Sequence, residues 1–215
     1  MTEPIRNRHQ LRSDRSTAML LDAAADLIAE GGYEAMTLVA VGERAGYSRG
    51  LVTARFGSKD LLLKALVERI TAGWSDRNVM PRTHGRAGAE GIVVLIDAIR
   101  AQAQTDPRAL RILYALMFEA LGPNVGLRAH FVEFHRNMRA DLAQLVDRGR
   151  RDGSVHTTLD PAAEAALVVA QLRGIAYQWL LDDEAFDPVV AFAHLAQATD
   201  QRLRPIAPRL VRSPS

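Results

Sequence analysis

The sequence contains no cysteine among its 215 residues, and aromatic residues make up only 6% of them. The absence of cysteine excludes disulfide bonds, thiolate metal ligands and a cysteine nucleophile. It is compatible with a reducing compartment. The sequence also lacks any segment with convincing strand alternation, while Ala, Leu, Arg and Val dominate. This composition predicts an all-α fold.

A large excess of charge of one sign is also missing. The 27 Lys and Arg residues almost balance the 25 Asp and Glu residues, giving a formal net charge of +2. Net charge therefore indicates no particular class of partner, and the distribution of charge along the chain must be considered instead.

Long hydrophobic runs are absent too. The longest candidate, AALVVAQLRGIAYQWLL, is interrupted by Gln171 and Arg173. It is typical of a buried helix in a soluble protein, not of a membrane span. The first residues are polar, with no apolar core after them, so no secretory signal is predicted. We therefore expect a cytoplasmic protein that does not interact with membranes.

Glycines and capping residues divide the first third of the chain into four predicted helices. Thr37, Ser48 and Ser58 are suitable N-caps, while glycines follow the first three helices. The predicted helices cover about 16–30, 38–45, 49–56 and 58–76, after a polar arm at 1–12.

The rest of the chain predicts a larger helical bundle. The Gly- and Pro-rich stretch 75–91 is expected to be mainly loop, and IVVLIDAIRAQAQ after it to be helical. Each of three Asp-Pro pairs combines a capping carboxylate with proline at the first helical position. Another helix is expected at about 127–151, followed by Gly153, and the tail from Pro205 is expected to be loose. The total is about nine helices.

The segment GYSRGLVTARFGSKDLL, residues 46–62, concentrates cations around a short turn. The two short helices joined at Gly46 have the arrangement of a helix-turn-helix, whose second helix can enter a DNA major groove. Val52 and Phe56 are four residues apart and are expected to face the core. The residues expected on the opposite side are Arg49, Gly50, Thr53 and Ala54.

Chemistry supports contacts from this outer side to DNA. Arg49 suits a guanine edge or a phosphate. Lys59 lies in the first turn of the fourth helix, where backbone N–H groups also favour phosphate. Charge alone would favour a merely solvated surface, so the glycine turn, the serine and threonine caps and the small outward residues carry the prediction.

The segment Leu20–Leu66 contains an ordered series of short motifs. They are Asp22-Ala23-Ala24, Gly32-Tyr33, Thr37, Ala45-Gly46, Ser48, Gly50, Phe56, Ser58-Lys59 and Leu61-Leu62. Through these residues the segment resembles the DNA-binding domain of the TetR family of transcriptional regulators. The resemblance covers about a quarter of the chain. Beyond this segment, the chain is similar to the family in length and helical character, and in the segment GIAYQWLLD.

The resemblance implies a homodimer that binds a near-palindromic operator and a C-terminal domain that binds a small molecule. It divides the chain into an arm and DNA-binding domain, 1–57, and a ligand-binding and dimerisation domain, 58–215. The DNA contacts that it implies are Thr37, Ser48, Arg49, Gly50, Leu51, Thr53, Arg55 and Lys59.

Two positions depart from the family pattern. Thr53 and Ala54 stand where the family often has tyrosine. The phosphate contact of a tyrosine hydroxyl must therefore be made by the shorter side chain of Thr53, or it is absent. Arg55 is a possible replacement. Gly42 stands where alanine is usual, which is expected to weaken the second helix by up to about 1 kcal/mol.

Two further surfaces leave alternatives open. Arg6, Arg8, Arg12 and Arg15 fit either a DNA-contacting arm or a disordered basic tail. The helices 161–181 and 188–203 fit either a dimer interface or an intramolecular core, and both alternatives use the same residues. We expect a homodimer through these two helices, because two half-sites need two copies of the DNA-binding helix. These residues are Ala165, Val168, Val169, Leu172, Ile175, Ala176, Val189, Phe192, Leu195 and Ala196.

Large, adaptable side chains on three helices are candidates for a ligand pocket, although plain core packing is the alternative. They are Tyr114, Met117, Phe118, Phe131, Phe134, Met138 and Tyr177. Glu119, His130 and His135 could add polar contacts, but their spacing does not predict a metal site. No cofactor motif is present.

The predicted function is a ligand-responsive regulator, most simply a repressor, released from DNA by a small apolar or aromatic molecule. An enzyme is not expected, because no catalytic triad order, nucleotide loop or carboxylate pair stands out. The remaining alternative is a helical small-molecule-binding module whose DNA binding is weakened or lost.

Overall fold

The computed structural model describes residues 8–74, 86, 88–123 and 125–205. Within these ranges the chain forms nine α-helices and no strand, so the predicted all-α fold is confirmed. The helices are α1 (Arg8–Ala35), α2 (Leu38–Ala45), α3 (Arg49–Phe56), α4 (Lys59–Trp74), α5 (Gly88–Thr105), α6 (Pro107–Glu119), α7 (Val125–Asp152), α8 (Pro161–Leu181) and α9 (Pro188–Leu203). None of the helices in these ranges has the length and apolar character needed to span a membrane.

The described residues form two compact units. The first contains the chain up to Trp74 together with Asp106–Val132, and the second contains α5 and the chain from Glu133 onward. The helix α7 contributes its beginning to the first unit and the remainder to the second. These units are defined by compactness and do not test the expected functional boundary after residue 57, which stays a prediction.

The first helix is much longer than its apolar periodicity predicted. It begins at Arg8 and continues to Ala35, with a kink at Gly32, whose φ of 73° is in the left-handed region that glycine tolerates. The expectation of a non-helical arm is therefore wrong for residues 8–12. These residues include no proline or glycine, so the helix continues through polar positions that carry no periodic signal.

Helices α2 and α3 have the predicted limits, and their packing explains Gly42. A Cβ atom at this position would lie 2.8 Å from the Tyr47 carbonyl oxygen. The Tyr47 N–H donates to the Gly42 carbonyl at 2.8 Å, which closes the turn around Gly46. The glycine therefore lowers helix propensity, but it lets the backbone of α2 approach the Tyr47 carbonyl, which the methyl group of alanine would obstruct.

Capping by the Asp-Pro pairs is confirmed at all three positions. Asp106 accepts a hydrogen bond from the Ala109 N–H at 3.2 Å at the start of α6. Asp160 and Asp187 do the same for α8 and α9, with the shortest bonds at 3.0 and 2.8 Å. Local chemistry thus sets the start of each helix.

The second unit is built mainly on the packing of α5 along α9, with α8 against α9. Phe192, Leu172 and Ile96 are fully buried there. A largely buried ion pair, Arg202 Nε to Glu164 Oε2 at 2.9 Å, joins the end of α9 to the start of α8. The predicted loop at 75–91 is wrong for its last residues, because α5 begins at Gly88; most of the remaining stretch lies outside the described residues.

Candidate nucleic-acid interface

The outer face of α3 is polar and accessible. Val52 is 0% exposed and anchors the helix in the core of the first unit. Arg49, Gly50 and Thr53 are exposed, and Leu51 is half-buried. The helix therefore presents one long cation and two small residues outward, which suits close approach to base edges.

The two N-cap residues lie at the starts of α2 and α3. Thr37 Oγ1 accepts a hydrogen bond from the Ala40 N–H at 3.1 Å, and Ser48 Oγ accepts one from the Leu51 N–H at 3.3 Å. Both residues are exposed. Because each hydroxyl uses only its acceptor role in the cap, its hydrogen can still be donated to a phosphate.

Lys59 opens α4 and is held by residues near the end of α1. Its ammonium nitrogen lies 3.7 Å from the centroid of the Tyr33 ring and 3.8 Å from a carboxylate oxygen of Glu34. Its side chain is 26% exposed, whereas that of Glu34 is 88% exposed. An aromatic ring and an exposed carboxylate thus position the ammonium group of Lys59. The sequence did not indicate these two contacts.

Arg55 makes contacts within the protein that sequence reasoning missed. Its guanidinium donates to the backbone and side-chain oxygens of Ser13 and, at 3.3 Å, to Ser16 Oγ. These hydrogen bonds join α3 to α1. No sequence signal could have revealed them, because Ser13 was not expected to be helical. A phosphate contact from Arg55 stays a prediction.

The positions that hold tyrosine in the family point outward here. Thr53 and Ala54 are both exposed, and neither side chain has the reach of a tyrosine hydroxyl. Two arginines of the expected basic arm, Arg12 and Arg15, lie on α1 and are also exposed. Arg6 and the side chain of Arg8 are outside the described residues.

A bidentate salt bridge connects α1 to α2. Arg44 donates to the two carboxylate oxygens of Glu30 at 2.8 and 2.7 Å. This hydrogen bonding, with the charge of Arg44, lowers the pKa of Glu30 against the opposing effect of desolvation, and it raises the pKa of Arg44. The bridge supports the orientation of α2 at the interface.

The proposed ligand-pocket residues are divided between the two units. In the first unit, Tyr114, Met117 and Phe131 are buried and Phe118 is half-buried. In the second, Phe134 and Met138 are half-buried and Tyr177 is exposed. Their membership of a pocket stays a prediction.

A polar contact missed by sequence reasoning lies beside the second group. Arg173 Nε donates to His135 Nε2 at 2.9 Å, and Arg173 Nη2 lies 3.4 Å from the sulfur of Met138. The Phe134 and His135 rings are edge to face, with centroids 5.6 Å apart.

Comparison with known proteins decides the family. Residues 20–66 match the model of bacterial regulatory proteins of the tetR family, and residues 89–204 match that of the BetI-type transcriptional repressor C-terminal domain. The chain belongs to the TetR family. It is a transcriptional regulator with a DNA-binding helix-turn-helix formed by α2 and α3.

TetR-family regulators from several bacteria are similar to this chain. The HTH-type transcriptional regulator BetI of Burkholderia mallei is 27% identical over 197 residues, which cover 90% of this chain and 94% of that protein. The structure of the SmeT–triclosan complex matches with a TM-score of 0.77 at 21% identity, covering 94% of this chain and 99% of that one. FadR from Bacillus subtilis in complex with stearoyl-CoA matches with a TM-score of 0.75 at 19% identity, over 87% and 99% of the two chains.

Proposed function

We propose that this TetR-family protein is a ligand-responsive repressor that binds a near-palindromic operator as a homodimer. The observation that carries the proposal is the outer face of α3, where Arg49, Gly50 and Thr53 are exposed while Val52 is buried. A repressor role is supported by the match to the BetI-type transcriptional repressor model. Base contacts would come from Arg49, and phosphate contacts from Thr37, Ser48 and Lys59.

The effector would be a small apolar or aromatic molecule. Two proteins of the same fold, SmeT and FadR, have been solved in complex with triclosan and stearoyl-CoA, respectively. The candidate contacts within the first unit are Tyr114, Met117, Phe118 and Phe131, which are buried or half-buried. Binding would favour a conformation in which the two α3 helices no longer fit adjacent turns of DNA.

Dimerisation would use an exposed face of α8. Seven apolar residues recur at helical spacing on this face, and all are exposed: Ala163, Ala166, Leu167, Ala170, Gly174, Tyr177 and Leu181. Leu181 is 73% exposed and Tyr177 is 53% exposed, which is unusual for adjacent apolar positions of one helix. A second copy of the chain would cover this face, since two half-sites require two copies of α3.

Of the ten residues that the sequence suggested for this interface, eight are buried in a single chain, and Ile175 and Val189 are half-buried. Leu172, Ala176 and Phe192 are fully buried in a single chain. The prediction of an interface through these side chains is therefore wrong, and the intramolecular alternative is correct for them. The helix α8 is apolar on both faces, so one face packs in the core while the other is available to a partner.

One observation favours the alternative of a module with weakened DNA binding. Thr53 and Ala54 replace tyrosines, and Arg55 donates to α1. Salt dependence separates the two functions. A labelled random duplex is titrated with protein at several salt concentrations, and a regulator should show affinity that falls steeply as salt rises. A flat response would favour the module.

Recognition of specific DNA bases by Arg49 is tested with a duplex selected from genomic fragments. Arg49→Ala should reduce the preference for the selected duplex over a random one, at a cost of about 1–3 kcal/mol at the contacted base. Arg139→Ala removes an exposed arginine of α7 and serves as the control. An equal loss of affinity for all DNA sequences would show that Arg49 contacts phosphate instead. Apolar and aromatic compounds are then screened for release of the selected duplex.

A further inference from the structure

The N-terminal half of α1, the helix α3 and Tyr47 before it line an open groove with a volume of about 630 Å³. Arg12, Arg15 and Arg55 line it, and Met19, Tyr47 and Leu51 provide its less polar surface. All of these residues belong to the first unit. We refer to this feature as the α1–α3 groove.

We propose that the α1–α3 groove binds the sugar–phosphate backbone of DNA beside the bases that α3 contacts. The proposal rests on the proposed function, since it requires α3 to lie in the major groove. It assigns Arg12 and Arg15 as phosphate-binding residues. Neither residue is covered by the matched family model, which begins at residue 20.

The charge of the groove fits this occupant. Arg12 and Arg15 are exposed, and within the described part of the chain neither forms a hydrogen bond or ion pair with another side chain. Each guanidinium presents N–H donors in a planar fork that matches two phosphate oxygens. Leu51 and Met19 add apolar surface on which a deoxyribose ring can pack.

The anchoring of α1 to α3 positions these two cations. Arg55 donates to Ser13 and Ser16, which lie on the same helical turns as Arg12 and Arg15. The arginines therefore project from a fixed helix next to α3 and not from a loose arm. Less conformational entropy is lost when DNA binds, which strengthens each contact.

The groove also accounts for the missing tyrosines. Thr53 and Ala54 are too short to reach the phosphates that a tyrosine hydroxyl would contact. Arg12 and Arg15 supply backbone contacts from the neighbouring helix. Arg55 acts in this arrangement as a positioning residue, because both of its terminal guanidinium nitrogens donate to serines of α1.

The test uses the full-length protein and measures how DNA affinity depends on salt. Arg12→Ala/Arg15→Ala should lower the slope of log affinity against log salt by about 1.8, or about 0.9 for each lost phosphate contact. The preference for the selected duplex over a random one should not change. The control, Arg136→Ala/Arg139→Ala, removes two exposed arginines of α7 and should keep the wild-type slope.

The anchoring is tested separately by Ser13→Ala/Ser16→Ala, which retains all three arginines. This variant should have a slope between those of the wild type and the double arginine variant, measured well below its melting temperature. A wild-type slope would overturn the role of the serines.

The possible failures can be told apart. If the wild type binds DNA and Arg49→Ala reduces its sequence preference, but the double arginine variant matches the control, the groove proposal alone is overturned. If the wild type shows no salt-dependent binding to any duplex, the proposed function itself fails.

Discussion

Lys59 lies with its ammonium nitrogen 3.7 Å from the centroid of the Tyr33 ring. The attraction between a cation and an aromatic face holds the first residue of α4 against the end of α1. The nearby Glu34 carboxylate is well exposed, and an exposed ion pair of this kind contributes little. The position of Lys59 at the candidate interface therefore depends chiefly on a residue 26 positions earlier in the chain.

This relationship leads to a prediction for Lys59. Replacing it with alanine should lower the salt slope of DNA binding by about 0.9, without a change in sequence preference, because one phosphate contact is lost. Tyr33→Leu should cause a smaller decrease, since the cation remains but loses its aromatic support. Lys64→Ala removes an exposed lysine of the same helix, paired with Glu68, and should not change the slope. An unchanged slope for Lys59→Ala would remove this residue from the interface.

A second prediction concerns the close approach of α3 to DNA. A Cβ atom at Gly50 would meet only Ser48 Oγ, at 3.7 Å, which is an ordinary contact. Gly50→Ala should therefore fold normally and gain up to about 1 kcal/mol of stability from helix propensity. Its affinity for DNA should nevertheless fall, because the added methyl group occupies the face that approaches the bases.

Gly42→Ala provides the contrast. Its methyl group would collide with the Tyr47 carbonyl oxygen inside the fold, so thermal denaturation should show a lower melting temperature. If Gly50→Ala binds DNA as tightly as the wild type, the outer face of α3 does not approach the bases as proposed.

The third prediction tests the exposed face of α8. No atom lies within 4 Å of where a Cβ atom at Gly174 would be, so a large side chain fits in a single chain. Gly174→Trp should shift the protein from dimer to monomer, because the ring would separate the two copies. Ala140→Trp places the same ring on an exposed position of α7 and should leave the dimer intact. Light scattering after size-exclusion chromatography measures both masses, and a dimeric Gly174→Trp variant would contradict the proposed interface.

The salt bridge between α1 and α2 leads to a prediction about pH. The pKa of Glu30 is lowered from its ordinary value of 4.5 by the hydrogen bonds from Arg44. A carboxylate of lowered pKa stabilises the folded state fully above its unfolded pKa, and this contribution is lost as pH falls through the folded value. Wild type should thus melt at a higher temperature than Glu30→Gln near pH 7, and the difference should shrink below about pH 4.5.

Glu43→Gln is the control for this measurement. It changes another exposed glutamate in the same region, so it should keep the wild-type pattern. A difference between wild type and Glu30→Gln that stays constant from pH 7 to pH 3 would show that the salt bridge does not stabilise the fold.

Local chemistry explains which elements could be predicted from the sequence. The starts of α2 and α3 and the three Asp-Pro starts are set by side chains that bond to backbone two or three residues away. The helix-turn-helix was predictable for the same reason. Its caps, its turn and its outward residues all lie within one short segment.

Contacts between distant segments could not be predicted in this way. Arg55 and Ser13 are 42 residues apart, and their contact requires α1 to begin earlier than its apolar residues indicate. The beginning of α1 is polar except for the exposed Leu11, so no periodicity marked it as helix. The α1–α3 groove therefore became visible only when both helices were placed together.

The sequence by itself determined the limits of α2 and α3, the three Asp-Pro caps and the DNA-binding motif, because these depend on interactions between neighbouring residues. It also showed that α8 carries a wide apolar face. Only the tertiary structure decided which face of α8 is buried and which is exposed. Leu172 lies inside the core, while Leu167 and Tyr177 remain exposed. Burial depends on what packs against a helix, and that partner comes from a remote part of the chain.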